Sequence, residues 1–201
     1  MMGVAKKINQ RMVFAGFALA LVVVVLFVGG CSSVDVKRYA GQQPEFDLFD
    51  YFLGETRGWG IVQDRKGELL RQFVVDINGS INAAGELVLD EQFVWSDGEH
   101  SERIWTIERT GPHDFRGQAA DVIGMAEGEV YGNALFWSYV LNLEARGSTW
   151  KVRFDDWMFL QPDGVLLNRA TMSKFGFELA QVTIAFKPVG RAGAENVVDD
   201  Q

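Results

Sequence analysis

The chain of 201 residues has a single cysteine, Cys31, and two histidines, His100 and His113. One cysteine excludes an intramolecular disulfide. Both histidines sit in polar, turn-like surroundings, so neither a His/Cys metal cluster nor a recognisable catalytic triad can be assembled from them. Positive charge is also scarce. Nineteen Lys and Arg face twenty-seven Asp and Glu, for a net charge of −8 and an isoelectric point near 4.8. Such a balance leaves no basic face for phosphates and excludes nucleic acid as a partner. There is no P-loop and no dinucleotide fingerprint, and Ser173 lacks the surroundings of a nucleophile elbow. No metal and no cofactor are expected. Helical periodicity is missing beyond the first thirty residues, apart from a short turn at Pro44 to Leu53.

What is present begins with an uneven charge distribution. Residues 1–30 carry Lys6, Lys7 and Arg11 and no acid, which leaves −11 on the remainder of the chain. Behind that basic start, Met12 to Val28 is uninterruptedly apolar and is followed by Val28-Gly29-Gly30-Cys31 and two serines. The order of positive, apolar and small residues is that of an export signal. Its end resembles the bacterial lipobox, although that pattern usually has Leu where Val28 stands and Ala or Ser where Gly29 stands. The resemblance implies a signal-peptide helix over residues 1–30 and lipidation of Cys31. With Ser32 next, it also implies a lipid anchor in the outer membrane of a Gram-negative bacterium, facing the periplasm. The alternative is a permanent membrane helix, because the apolar run approaches the roughly 20 residues needed to span a bilayer. Residues 31–44 read as the lipidated cysteine and a polar tether, and residues 189–201, rich in Gly, Ala and acids, as a disordered tail.

Between them, residues 45–188 read as one all-β domain. Short alternating runs recur, separated by turn chemistry such as QDRKGE, INGS, SDGE, ARGST and QPDG. Asn78-Gly79, Asp97-Gly98 and Asp163-Gly164 are expected to supply the positive φ of tight hairpins. The resulting fold class is a single antiparallel meander of about eight to ten strands, closed into a calycin- or lipocalin-like barrel that leaves no exposed edge. A barrel of this size either fills itself with side chains or holds one small ligand.

Four groups of residues carry chemical possibilities. In Phe52 to Gly60, a glycine-flanked tryptophan is similar to the opening strand of lipocalins, where it plugs one end of the barrel; Trp59 is expected in that place. Gly124, Gly128 and Gly132 are expected at barrel corners, since glycines inside strands mark bulges, bends or close approaches. The paired acids Asp90-Glu91 and Asp155-Asp156 invite a general acid/base reading. Neighbouring side chains on a strand point to opposite faces, however, so Asp155 and Asp156 cannot form a dyad with each other. An inward carboxylate needs a partner, for which Arg153, Arg169 and Lys174 are the nearby cations. Finally, alternation puts Asn168, Ala170, Met172 and Lys174 on one face and Arg169, Thr171, Ser173 and Phe175 on the other. Whichever row faces a barrel interior requires internal partners, water or a ligand headgroup, because an unsatisfied buried polar group costs about 1–3 kcal/mol.

These motifs, with VDINGS, LDEQFVWSDGE, RIWTI, AEGEVYGNALFW, DDWM and LLNRATMSKFG, resemble a bacterial domain-of-unknown-function family of lipoproteins. The similarity runs from about Tyr51 to Phe186. It implies a lipocalin- or calycin-like fold and an envelope role, and it transfers no catalytic residue.

Three readings follow. The first is an envelope lipoprotein that binds a lipid-like or amphipathic ligand. In it, Trp59, Trp137, Tyr139, Trp157 and Phe159 line the apolar part, while Asp156, Asn168, Arg169 and Lys174 fix a headgroup. Its partners are the membrane and that ligand. The second is an enzyme acting on a lipid or small hydrophobic molecule through Asp155 or Asp156 with Arg169. The third is a filled-barrel structural or interaction module of the envelope. The volume of the interior, and which face of residues 150–160 and 165–175 lines it, separates them.

Overall fold

Apolar residues at every second position produce ten strands: β1 (Gly54–Asp64), β2 (Leu69–Ile81), β3 (Leu87–Trp95), β4 (His100–Arg109), β5 (Asp114–Gln118), β6 (Ala126–Tyr131), β7 (Ala134–Ala145), β8 (Ser148–Leu160), β9 (Leu166–Lys174) and β10 (Phe177–Pro188). The computed structural model describes residues 34–145 and 147–190. Each strand pairs antiparallel with its neighbour in sequence, and β10 pairs with β1 to close the barrel. Closure gives every strand two partners, which is why the meander has no free edge. The compact unit begins at Val36. The signal peptide expected over residues 1–30, the lipidation expected at Cys31 and residues 191–201 of the expected tail lie outside the described residues.

Asp97-Gly98 and Asp163-Gly164 turn hairpins as expected, with φ of 84° at Gly98 and 79° at Gly164. Asn78-Gly79 does not. Both residues lie inside β2, where Gly79 pairs with Gly54 on one side and Leu89 on the other. A Cβ at Gly79 would overlap the carbonyl oxygen of Phe52, so the glycine is there for a close backbone approach. Of the three glycines expected at corners, Gly124 and Gly132 take positive φ in loops, whereas Gly128 lies within β6 against the ring of Trp137.

The backbone that presses on Gly79 belongs to the segment closing one end of the barrel. Asp47 caps the short helix α1 (Leu48–Phe52) by accepting from the backbone N–H groups of Phe49 at 2.9 Å and Asp50 at 3.0 Å. Phe46, Leu48, Tyr51 and Phe52 are all buried. The Tyr51 hydroxyl lies 3.0 Å from the carbonyl of Phe186 and 3.1 Å from that of Gly164, fastening α1 to β10 and to the β8–β9 hairpin. Residues 36–44, read from sequence as a polar tether, pack on the outside of the barrel. Val36 is buried, and the ring of Tyr39 meets Trp157 and Phe159 edge-on at 5.9 and 5.2 Å.

The far end is ringed by the β1–β2, β3–β4, β7–β8 and β9–β10 hairpins. β5 and β6 are short and leave a gap in the wall there. Residues 121–123 occupy it, with Ile123 N–H donating to Val140 O at 2.7 Å and Asn142 N–H donating to Asp121 O at 2.9 Å.

Candidate functional site

Inside the barrel lies a cavity of about 450 Å³, within the range of small-molecule pockets. Leu48 and Phe52 of the closing segment form its floor, and its walls are mostly aliphatic and aromatic. Gly58 and Gly60 of β1 face inward, where Phe73, Val75 and Phe186 fill the space their side chains would take. Trp59 between them consequently points outward and is half exposed. It does not plug the barrel; α1 and Phe46 do that.

A polar band interrupts the apolar wall. It comprises Glu91 on β3, Arg103 on β4, Asp121 in the β5–β6 loop, Tyr139 on β7, Asp156 on β8 and Asn168 on β9. β3, β7, β8 and β9 each contribute one polar position to an otherwise apolar inward row, as in Val152, Phe154, Asp156 and Met158, while β4 contributes Arg103 beside Ser101. Glu91 and Arg103 are direct cross-strand partners. Arg103 nonetheless gives its hydrogen bonds to Asp121, with Nη2 donating at 2.7 Å and Nε lying 3.2 Å from both carboxylate oxygens. Asp156 is 7% exposed, and its Oδ1 has no hydrogen-bond partner. Asn168 is 3% exposed, with only a long contact of 3.5 Å to the Trp157 carbonyl.

Burial sets the protonation of this band. Desolvation raises the pKa of Asp156 to about 8; the neighbouring Asp155 and Glu91 add to the rise, while Arg103 and the Tyr139 hydroxyl oppose it. Glu91 rises to about 7, again chiefly through desolvation, with Arg103 opposing and Asp121 and Asp90 adding. Tyr139 is pushed well above its ordinary value by burial and then by Asp156. Burial works against the charge on Arg103, but Tyr139, Glu91 and Asp121 outweigh it and hold its pKa above the usual value. Around neutral pH the Arg103–Asp121 salt bridge therefore stands beside Asp156, which holds its proton, and Glu91, which is divided between its two forms.

The residues singled out from sequence divide between the two faces. Trp137, Tyr139, Asp156 and Asn168 line the cavity. Trp137 packs edge-on to Trp105 at 5.8 Å, and Tyr139 stacks on Phe154 at 5.3 Å. Trp157 and Phe159 point outward and carry Tyr39. Arg169 is exposed and donates to Gln181 Oε1 at 2.7 Å from Nη2. Lys174 sits at the far rim, its Nζ 3.9 Å above the ring of Trp150. Asp155 is on the outer face, accepting from Ser138 Oγ at 2.8 Å and from Arg153 Nε at 2.9 Å. Asp156 is inside the barrel and Arg169 outside, so these two do not combine; Asp155 shares the outer face with Arg169, but Ser138 and Arg153 engage the carboxylate and Gln181 the guanidinium. Glu91, Arg103 and Asp121 were not assigned to the interior from sequence. For Glu91 the available signal was a lone charge in an apolar alternating row, Leu89-Glu91-Phe93, the same pattern that marks Asp156; Arg103, between Ser101 and Trp105, shows it only on one side, and Asp121, in a loop, has none.

Residues 25–188 match the family model described as protein of unknown function, DUF3833. No curated protein matches the chain. Among solved structures it is similar to an S-type phycobiliprotein lyase from Guillardia theta, with a TM-score of 0.50 and 8% identity over 69% of this chain and 88% of the other. A DUF3598-family protein of unknown function from Nostoc punctiforme is also similar, with a TM-score of 0.54 and 16% identity over 74% of this chain. The match spans 51% of that second protein, about half its length. These similarities place the chain among lipocalin-like barrels, and at such identities they speak of the fold alone.

Proposed function

Since the chain belongs to the DUF3833 family, we propose its function from the barrel itself: it binds one small, elongated, lipid-like molecule whose apolar body fills the cavity and whose polar group meets the band. The observation that carries this is the buried Asp156 Oδ1, left without a partner at the wall of an apolar cavity of about 450 Å³. Leaving such an atom dry costs about 1–3 kcal/mol, and a bound polar group removes that cost. A cavity of this volume also argues against a filled-barrel module.

In the same reading, Cys31 is lipidated and anchors the barrel to the outer membrane on its periplasmic side, where lipid-like ligands are at hand. The support for the anchor is the leader and its VGGC ending. Native mass spectrometry of the full-length protein, extracted gently from membranes, tests the binding. An adduct of defined mass, lost on harsh delipidation and restored from a lipid library, is expected. Recovery of empty protein alone, with nothing taken up from the library, would overturn the proposal.

A further inference from the structure

The polar band is short of positive charge. At the band, three carboxyls, Glu91, Asp121 and Asp156, face one guanidinium, that of Arg103; the second guanidinium lining the cavity, that of Arg71, belongs to β2 and not to the band. Asp121 already engages that guanidinium through three N–O contacts of 2.7–3.2 Å, and Glu91 stands directly opposite it across the β3–β4 pair. A ligand carboxylate entering at the band would have to displace Asp121 from Arg103 or share that one guanidinium with it, leaving two anions side by side for a single positive charge. Like charges brought together in a low-dielectric interior cost far more than they do in water. A ligand cation meets the reverse situation. It finds the unpartnered Oδ1 of Asp156 and the Glu91 carboxyl, for which no hydrogen-bond partner competes among the described residues.

Resting on the binding reading above, we infer that the cavity selects amphipathic cations: a protonated amine on an apolar chain, seated between Asp156 and Glu91, in preference to the corresponding fatty acid. The cation replaces the protons that these carboxyls hold in the empty barrel. Binding therefore releases protons, and affinity for the amine rises with pH through the range in which the two acids would otherwise be protonated.

Every charged or titratable group facing Asp156 takes part in that balance. They are Glu91 from β3, Arg103 from β4, Asp121 from the β5–β6 loop and Tyr139 from β7, with Asp155 behind it on its own strand. From β9 the cavity receives Asn168, Ala170 and Met172, which carry no charge. Arg71 of β2 lies farther toward the rim, over Trp95, where its Nη2 is held by both Asp97 and Glu99, so that its charge is already met by two carboxylates although its Nε has no partner.

The test compares octylamine, octanol and octanoate, which share one tail. Each is titrated calorimetrically into the full-length protein in lipid nanodiscs, with empty nanodiscs as the blank, from pH 6 to pH 8 and in two buffers of different ionisation enthalpy. At pH 7.5 the amine is expected to bind at least about tenfold more tightly than octanoate, with octanol between them, with net proton release and with affinity increasing as pH rises. In Asp156→Asn the ratio of amine to alcohol affinity collapses. Glu91→Gln gives the same collapse independently, should the first variant fold poorly. Octanoate binding as tightly as the amine, or both variants keeping the parental ratio, would overturn the cation preference while leaving the binding reading intact. Failure of all three probes to bind would overturn both.

Discussion

Asp155 and Asp156 are consecutive in β8, yet Asp155 is held on the outer surface by Ser138 and Arg153 while Asp156 is buried in the cavity with one oxygen unpartnered. Adjacent carboxyls thus have opposite fates. The outer one keeps hydrogen-bond donors and solvent. The inner one has lost water and gained only a distant guanidinium and a phenol. This contrast makes the pH dependence of the empty protein predictable.

The folded pKa of Asp156, about 8, lies above the ordinary carboxylate value. Its contribution to stability is therefore fully present at low pH and is lost as pH rises from about 4 toward 8, because the unfolded chain gives up that proton first. Glu91, at about 7, acts in the same direction over a slightly narrower window. Chemical denaturation of the ligand-free protein is expected to show stability falling by up to about 1.4 kcal/mol per pH unit for each such group. Asp156→Asn should flatten the slope and be more stable than the parent at pH 8. An unchanged slope would show that Asp156 ionises freely.

Arg103 lowers the pKa of both Glu91 and Asp156. Replacing it by glutamine should move both carboxyls further upward, as read from carbon NMR shifts of labelled side chains. The same change strips Asp121 of its partner in a partly exposed pair, at a cost of about 1–3 kcal/mol.

Gly79→Ala places a methyl group where the Phe52 carbonyl lies. Either α1 must lift off or β2 must bend, and overpacking of this kind costs about 1–3 kcal/mol or more. Urea unfolding should show that loss. Hydrogen exchange should show increased opening around residues 46–53, the segment that closes the barrel.

Trp157→Ala removes the outer seat of Tyr39 and a tilted ring contact with Phe136 at 4.9 Å. A loss of about 1–3 kcal/mol is expected from the missing aromatic contacts, with faster hydrogen exchange in residues 36–44. The ligand adduct seen by mass spectrometry should persist, because the ring faces away from the cavity. Its disappearance would contradict the assignment of faces in β8.

Much of this arrangement follows from local pattern. Alternation and Asp-Gly turns specify strands, and their number and spacing specify a closed meander, since each strand needs two partners and a shared interior. The separation of Asp155 from Asp156 to opposite faces is equally a property of the extended backbone. Which face is the inner one is another matter. In β8 both rows look apolar: Val152, Phe154 and Met158 line the core, and Trp157 and Phe159 are just as greasy because residues 36–44 dock over them. The same ambiguity hides Trp59, whose outward position follows from inward Gly58 and Gly60 being overlaid by side chains of β2 and β10. Asn78-Gly79 misleads as a turn because its glycine answers to a backbone more than twenty-five residues away in sequence, that of Phe52. The polar band is the furthest from sequence. Its members come one by one from separate elements, and only the stagger of strands around a closed barrel brings them to a common depth, where burial makes their charges depend on one another.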